Sequence, residues 1–363
     1  MMHATTNTGG LDKFRLTAAL LVAAIHTSPL TCVSGEADFF LTRILARVAV
    51  PFFLMITGQF VLPRVLKPGA RARRRLLRYL VRTGGLYLIC SLLYLPLGIY
   101  AEHYKELTVS GLTRMLVWDG PFYHLWYFPA CMLGMSLLYL MSRHLGPRSM
   151  TLACTLLYML GLSGDSYYGL TQYIPPLRGL CDLGFHIWSY TRNGLFLAPL
   201  FLLMGAHVGG QHQGTLCHEK RTEEKSNTRN QPPAPGTWAL AVGLLLSLAG
   251  MTGEAFLLRC LDSLRHDSMY LLLVPVMYCL YGLLLRINCP PCPRLRRMST
   301  LVYILHPAVI VAVRLCARLP RLLPLMEQSL LHYLAVCLLS LAAAWLLTAL
   351  RDCIAKHHRQ RGR

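Results

Sequence analysis

Apolar runs of about 20 residues recur along the whole chain, separated by short polar or basic stretches. One run of that length is what an α-helix needs to cross a hydrocarbon core about 30 Å thick. The runs fall at 11–30, 39–62, 77–100, 124–142, 149–163, 193–209, 237–254, 269–286, 299–318 and 330–350. They predict an all-α, polytopic membrane bundle of about ten transmembrane helices. No repeat of fixed period and no separate soluble domain is visible, so residues 1–363 read as one membrane domain. Residues 211–236 (QHQGTLCHEKRTEEKSNTRNQPPAPG) are polar with Pro and Gly and read as a mobile cytoplasmic loop. The first run lacks a small-x-small cleavage site and more spans follow, so it is not expected to be a cleaved signal.

Composition agrees with this pattern. Hydrophobic residues make up 54% of the chain and charged residues 14%, with mean hydropathy +0.43. A soluble domain carries about 25% charged residues.

The net charge of +20 invites a nucleic-acid reading, but its distribution argues for topology instead. With the N-terminus inside, 25 of the 36 Lys and Arg fall on inner segments: Lys13 and Arg15, the run 64–82, Arg143, Arg148, the 211–236 loop, Arg286 to Arg297, and a basic tail at 351–363. This asymmetry follows the positive-inside rule and predicts a multi-pass protein of the plasma (inner) membrane with both termini cytoplasmic. The run RVLKPGARARRRLLRYLVR at 64–82 suits anionic headgroups of the lipid bilayer, and no nucleic-acid partner is expected.

The thirteen cysteines are scattered, mostly in apolar runs where Cys acts as a small hydrophobe. CPPCP at 289–293 pairs Cys289 with Cys292, but no second pair completes four ligands. Its prolines predict a rigid turn, and no metal is expected. Cys32, Cys181, Cys260 and Cys316 lie near outer ends, where a disulfide is permissible.

Candidate chemistry sits where polar residues interrupt apolar runs. LDKFRLTAALLVAAIHTSP (11–29) carries Asp12, Lys13 and Arg15 at one end and His26 near the other. Asp12, Arg15 and His26 fall within a sector of about 60° on one helix face. Asp12 and Arg15 are an i,i+3 pair able to neutralise each other. His26 lies about 16 Å beyond Arg15 along the axis, so one polar face reaches most of the way across the membrane. Such a face is costly against lipid and belongs in the bundle interior or a wet cavity.

RILARVAVPFFLMITGQF adds Arg47, four residues before Pro51, which frees a backbone carbonyl, and Gly58, which permits close helix approach. FYHLWYFPA places His124 and Trp126 at an outer boundary, with His124 as a titratable surface group beside an aromatic belt. STLVYILHPAVI sets His306 before Pro307, about a third of the way into its span.

Together these stretches resemble the acyltransferase 3 family of integral membrane acyltransferases, over essentially the whole chain. LDKFRLTAALLVAAIH looks like the family's first-helix pattern, an Asp three residues before an Arg with His further along. RVAVPFFLMITGQF is similar to its second-helix pattern, with Thr57-Gly58-Gln59 where S-G-Y is usual. HLWYF and YILHP resemble two further signatures. TRNGLFLAPLFLLMGAHVG (191–209) also looks like the membrane half of the vancomycin-resistance type serine racemases. That branch continues into a soluble racemase domain; the sequence here ends at Arg363, so racemase chemistry is not expected.

The resemblance implies transfer of an acyl group, commonly acetyl, from cytoplasmic acetyl-CoA to a hydroxyl of an envelope sugar or glycan. On that reading Arg15 receives the anionic CoA and Asp12 orients it. His26 is the general base, and Arg47 donates to the oxyanion. His124, Trp126 and His306 would contact substrate. The alternative is a membrane transporter for a small amino acid such as serine, which a polar stripe across the membrane would also suit.

Overall fold

The structure is a computed structural model that describes residues 8–67, 69, 71–102, 104, 108–219, 235–317, 319 and 323–361. Every regular element among them is helical. The helices are α1 (Gly9–Thr27), α2 (Gly35–Phe39), α3 (Ala49–Leu66), α4 (Ala72–Tyr100), α5 (Val109–Arg114), α6 (Tyr127–His144), α7 (Pro147–Ser163), α8 (Tyr168–Thr171), α9 (Pro175–Phe185), α10 (Ala198–Glu219), α11 (Thr237–Cys260), α12 (Leu273–Arg286), α13 (Pro293–Cys316), α14 (Pro324–Glu327) and α15 (Ser329–Arg361).

Each expected span falls on a helix. Among the described residues, five stretches are long and apolar enough to cross a membrane by length and composition: Gly35–Leu66, α4, α11, α13 and Ser329–His357 within α15. The protein is a multi-pass membrane protein. Other helices depart from the simple pattern for visible reasons. α1 carries charges in its first turns, and α12 has 14 residues, or about 21 Å.

Two boundaries differ from expectation. α10 continues to Glu219, so residues 211–219 are helix and not loop, while 220–234 lie outside the described residues. α15 runs on to Arg361, so most of the basic tail extends the last helix.

The chain forms two compact units. The first holds the residues up to Ala49 together with those from Leu284 onward. In it α1, α13 and α15 pack on one another, with Ile310, Val313 and Val336 in a shared apolar core. α13 starts at Pro293, where a missing N–H costs nothing and the fixed φ suits a helix. The start of α1 presses closely on the segment before α13. A Cβ on Gly9 would fall on the Cys289 and Pro290 carbonyls, and one on Gly10 on the Leu284 carbonyl.

Between α2 and α3 the backbone is irregular. Phe40–Ile44 form a π turn and Leu45–Val48 a 3-10 turn. Pro51 has no N–H for the Arg47 carbonyl, and the regular ladder gives way on its N-terminal side. π turns of this kind are frequent at functional sites.

The second unit is Val50–Leu283. α3 and α10 meet at glycines: a Cβ on Gly58 would fall on the Leu202 carbonyl, and one on Gly205 on the Met55 carbonyl. This is the close approach that small residues allow between membrane helices. Gln59 accepts a hydrogen bond from the Tyr281 hydroxyl, and Thr57 Oγ1 lies 3.3 Å from the Tyr127 hydroxyl. α6 packs against α4, α7 and α10. Leu88, Ile89, Leu92 and Leu93 leave one side of α4 exposed and apolar, the surface a helix presents to lipid.

Candidate active site

The first unit holds Asp12, Arg15, His26, Arg47 and His306; the second holds His124 and Trp126. Asp12 stands in the first turn of α1 with no exposed surface. A carboxylate in that position needs partners, because burying an unpaired charge is prohibitive. Arg296 supplies most of them: its Nε donates to Oδ1 at 3.1 Å and its Nη2 to Oδ2 at 2.9 Å. The Cys292 N–H donates to Oδ2 at 3.1 Å. Arg15 Nε lies 3.6 Å from Oδ1. The expected i,i+3 ion pair is therefore present, but the bidentate partner is Arg296, 284 residues away in sequence. This carboxylate ties α1 to the start of α13, and the CPPCP turn serves that junction. Among the described residues no three His, Cys, Asp or Glu side chains are grouped to hold a metal ion. Cys32, Cys181, Cys260 and Cys316 are free thiols.

His26 lies in the last turn of α1, half-buried. Its ring stacks on that of His306, with centroids 5.6 Å apart and planes 17° from parallel. His306 belongs to α13 and is fully buried. Its Nδ1 lies 3.2 Å from the Val302 carbonyl. A carbonyl only accepts, so Nδ1 carries the proton in that bond and the lone pair of a neutral ring is on Nε2. Pro307 follows directly and cannot donate to the Tyr303 carbonyl, which loosens the helix beside His306. Sequence reasoning singled out both histidines but not their pairing.

Arg47 sits in the 3-10 turn and is 8% exposed. α1 packs against both the π turn and the 3-10 turn. The Arg47 guanidinium is thus nearly buried on irregular backbone beside α1.

His124 departs from expectation. It is buried (1% exposed), not a surface group. Tyr94 meets its ring edge-on at 4.7 Å, with Phe122 and Tyr123 at 5.8 and 5.7 Å, so an aromatic box has drawn it inward. Trp126 is half-buried, and the Arg192 guanidinium lies 5.3 Å from its ring centre. Arg192 was not among the expected site residues. It stands in the turn leading to α10, which Asn193 shapes by accepting from the N–H groups of Leu195 and Phe196 through Oδ1.

The first unit thus carries an acid–guanidinium junction at one end of α1 and a histidine pair at the other. The family model described as "Acyltransferase domain" matches residues 8–349, and the chain belongs to the acyltransferase 3 family. It is also similar to two proteins of Enterococcus faecalis named "Amino-acid racemase": 35% identical over 96% of this chain and 46% of that protein, and 36% over 94% and 46%. A protein of Enterococcus gallinarum named "Serine/alanine racemase" is 33% identical over 92% of this chain and 45% of its own length. The chain thus spans about half the length of the curated relatives it matches. No solved structure matches it.

Proposed function

We propose that the protein is a membrane O-acyltransferase that moves an acyl group, acetyl by preference, from cytoplasmic acyl-CoA to a hydroxyl of an envelope sugar or glycan. One observation carries the reading: α1 alone bears Arg15 at one end and, about 16 Å away on the same face, a histidine stacked on a fully buried partner. Family membership supports the reaction class.

In this reading Arg15 meets a phosphate of the donor, and the Asp12–Arg296 junction fixes the helix end that carries it. His26 takes the proton of the acceptor hydroxyl as its oxygen attacks the thioester carbonyl. The C–O bond forms, the C–S bond breaks, and CoA leaves as the thiolate. Arg47 is the proposed donor to the oxyanion. His306, expected from sequence to touch substrate, is assigned instead to holding the His26 ring.

The names of the relatives favour one second reading, the handling of a small amino acid by the same polar face. The two separate in one experiment. Purified protein in proteoliposomes is given labelled acetyl-CoA with glycan acceptors, and separately labelled serine. Turnover of acetyl-CoA supports transfer; serine flux with no acetyl-CoA turnover overturns it. Arg15→Ala should weaken CoA binding, and Arg15→Lys should recover only part of it, since the charge remains but the planar fork is lost.

A further inference from the structure

Three segments of the second unit, around residues 114–126, 188–193 and 264–270, bring together groups that the proposed chemistry leaves unused. Arg192 is their centre. Its guanidinium carbon lies 4.2 Å from the Tyr190 ring centre and 5.3 Å from that of Trp126. Its Nη1 donates to Ser268 Oγ at 3.1 Å. Ser268 is itself anchored: its N–H donates to Asp165 Oδ1 at 2.7 Å, and the Met269 N–H to the same oxygen at 3.0 Å. Asp165 is fully buried, and its Oδ2 has no hydrogen-bond partner among the described residues. Beside the cluster, Asp119 accepts from the Ser189 N–H at 3.3 Å and the Ser189 hydroxyl at 2.7 Å. His266 completes the wall, its ring centre 4.5 Å from that of Tyr190.

An aromatic belt at the membrane boundary would account for Trp126 and Tyr190. A snorkelling arginine would account for a charge at that depth. Neither accounts for an arginine laid against two rings and bonded to a serine whose backbone rests on a buried carboxylate. Such stacking removes rotamer freedom before any ligand arrives. Trp126, Tyr190, Arg192 and His266 are each only half-buried, so the assembly reaches solvent.

We propose that this cradle is a carboxylate-binding site, with the Arg192 fork as the anion's partner and the Trp126 and Tyr190 rings as its walls. A guanidinium fork matches the two oxygens of a carboxylate with parallel N–H···O bonds. The neighbouring charges set the limit on the ligand's own. The carboxylates of Asp119 and Asp165 both face Arg192, so a dianion such as phosphate is poorly served. Burial, with the charges of Arg192 and Arg265, pushes His266 down to about 4, so its ring adds a hydrogen-bonding edge without adding charge. A free amino acid and an acidic sugar share the required group. The site stands independently of the acyl-transfer reading.

The test is calorimetric titration of the full chain in detergent, without acyl-CoA, using serine, glucuronic acid, glucose and inorganic phosphate. At least one of the two carboxylates is expected to saturate the site, which identifies the source. Glucose and phosphate are expected to bind at least tenfold more weakly. In the unaltered protein the methyl ester of the successful ligand should lose the binding, a control that needs no substitution. Arg192→Gln should weaken the carboxylate at least tenfold, and Arg192→Lys should recover only part. Binding of glucose, phosphate or the ester as tightly as the acid, or of neither carboxylate, would overturn the proposal.

Discussion

Replacing Asp12 should loosen the first unit by a predictable amount. A hydrogen bond to a charged group contributes about 1.5–3 kcal/mol. Arg296 gives Asp12 two of them, but its side chain is 43% exposed, and solvent screening brings the pair to about 2 kcal/mol. The Cys292 N–H adds about 1.5 kcal/mol on the same scale. Asp12→Ala removes both and should cost about 3–4 kcal/mol. Asp12→Asn keeps an oxygen for the Cys292 N–H and gives up the ion pair, for about 2 kcal/mol. The assay is a reversible denaturant titration in mixed micelles, run as a double-mutant cycle with Arg296→Gln. The expected coupling is about 1–2 kcal/mol. A parallel cycle with Arg15→Gln should give less, because Arg15 Nε stands 3.6 Å from the carboxylate, outside hydrogen-bond distance. Coupling to Arg296 below about 0.3 kcal/mol, or smaller than coupling to Arg15, would refute the assignment of Arg296 as the principal partner.

Gly58→Ala should destabilise the second unit by about 1–3 kcal/mol, because its Cβ meets a backbone carbonyl that cannot turn aside; the same titration reads it. Two loop groups should give opposite pH dependence. Burial raises Asp165 to about 6, so the folded state holds a proton there that the unfolded state releases, and stability falls as pH rises from about 4 to 6. His266 is pushed down to about 4, so its contribution is present above about 6.5 and lost as pH falls toward 4. Melting curves across pH 4–7 should therefore lose the first trend in Asp165→Asn and the second in His266→Gln. Single cysteines at positions 69 and 262 of a cysteine-free protein should lie on opposite sides of the membrane, the second alone reacting with an impermeant thiol reagent in intact cells.

The helices were legible because bilayer thickness favours apolar runs near 20 residues; the ten runs fall on helices, and among the described residues five stretches are long and apolar enough to span a membrane. The polar face of α1 was legible for the same local reason: helical periodicity alone puts Asp12, Arg15 and His26 together. The partners of that face were not. Which arginine closes on Asp12 depends on how α1 packs against α13, a contact that local periodicity does not report. The RLRR run just after CPPCP was the available signal, since it opens a helix at the same membrane boundary. His26 and His306 were each visible as polar interruptions, but their stacking is again a matter of packing between two helices. His124 misled because a histidine beside Tyr and Trp fits an interfacial belt; the inward turn depends on Tyr94 of α4. The break before α3 lies at 40–48, upstream of the proline that signalled it. Arg192 and Tyr190 come from one loop and His266 from another, where no periodicity exists to align them.

His26 is the most direct test of acyl transfer as the function. Its removal takes out one half-buried ring at the end of α1, so His26→Ala and His26→Gln proteins should assemble and can be compared at matched membrane abundance. Gln keeps hydrogen-bonding capacity but cannot take up a proton at neutral pH. If His26 is the general base, acyl transfer from labelled acetyl-CoA should fall by about 10²–10⁴-fold in both variants. A Gln protein that transfers acyl groups at near-parental rate would contradict the account.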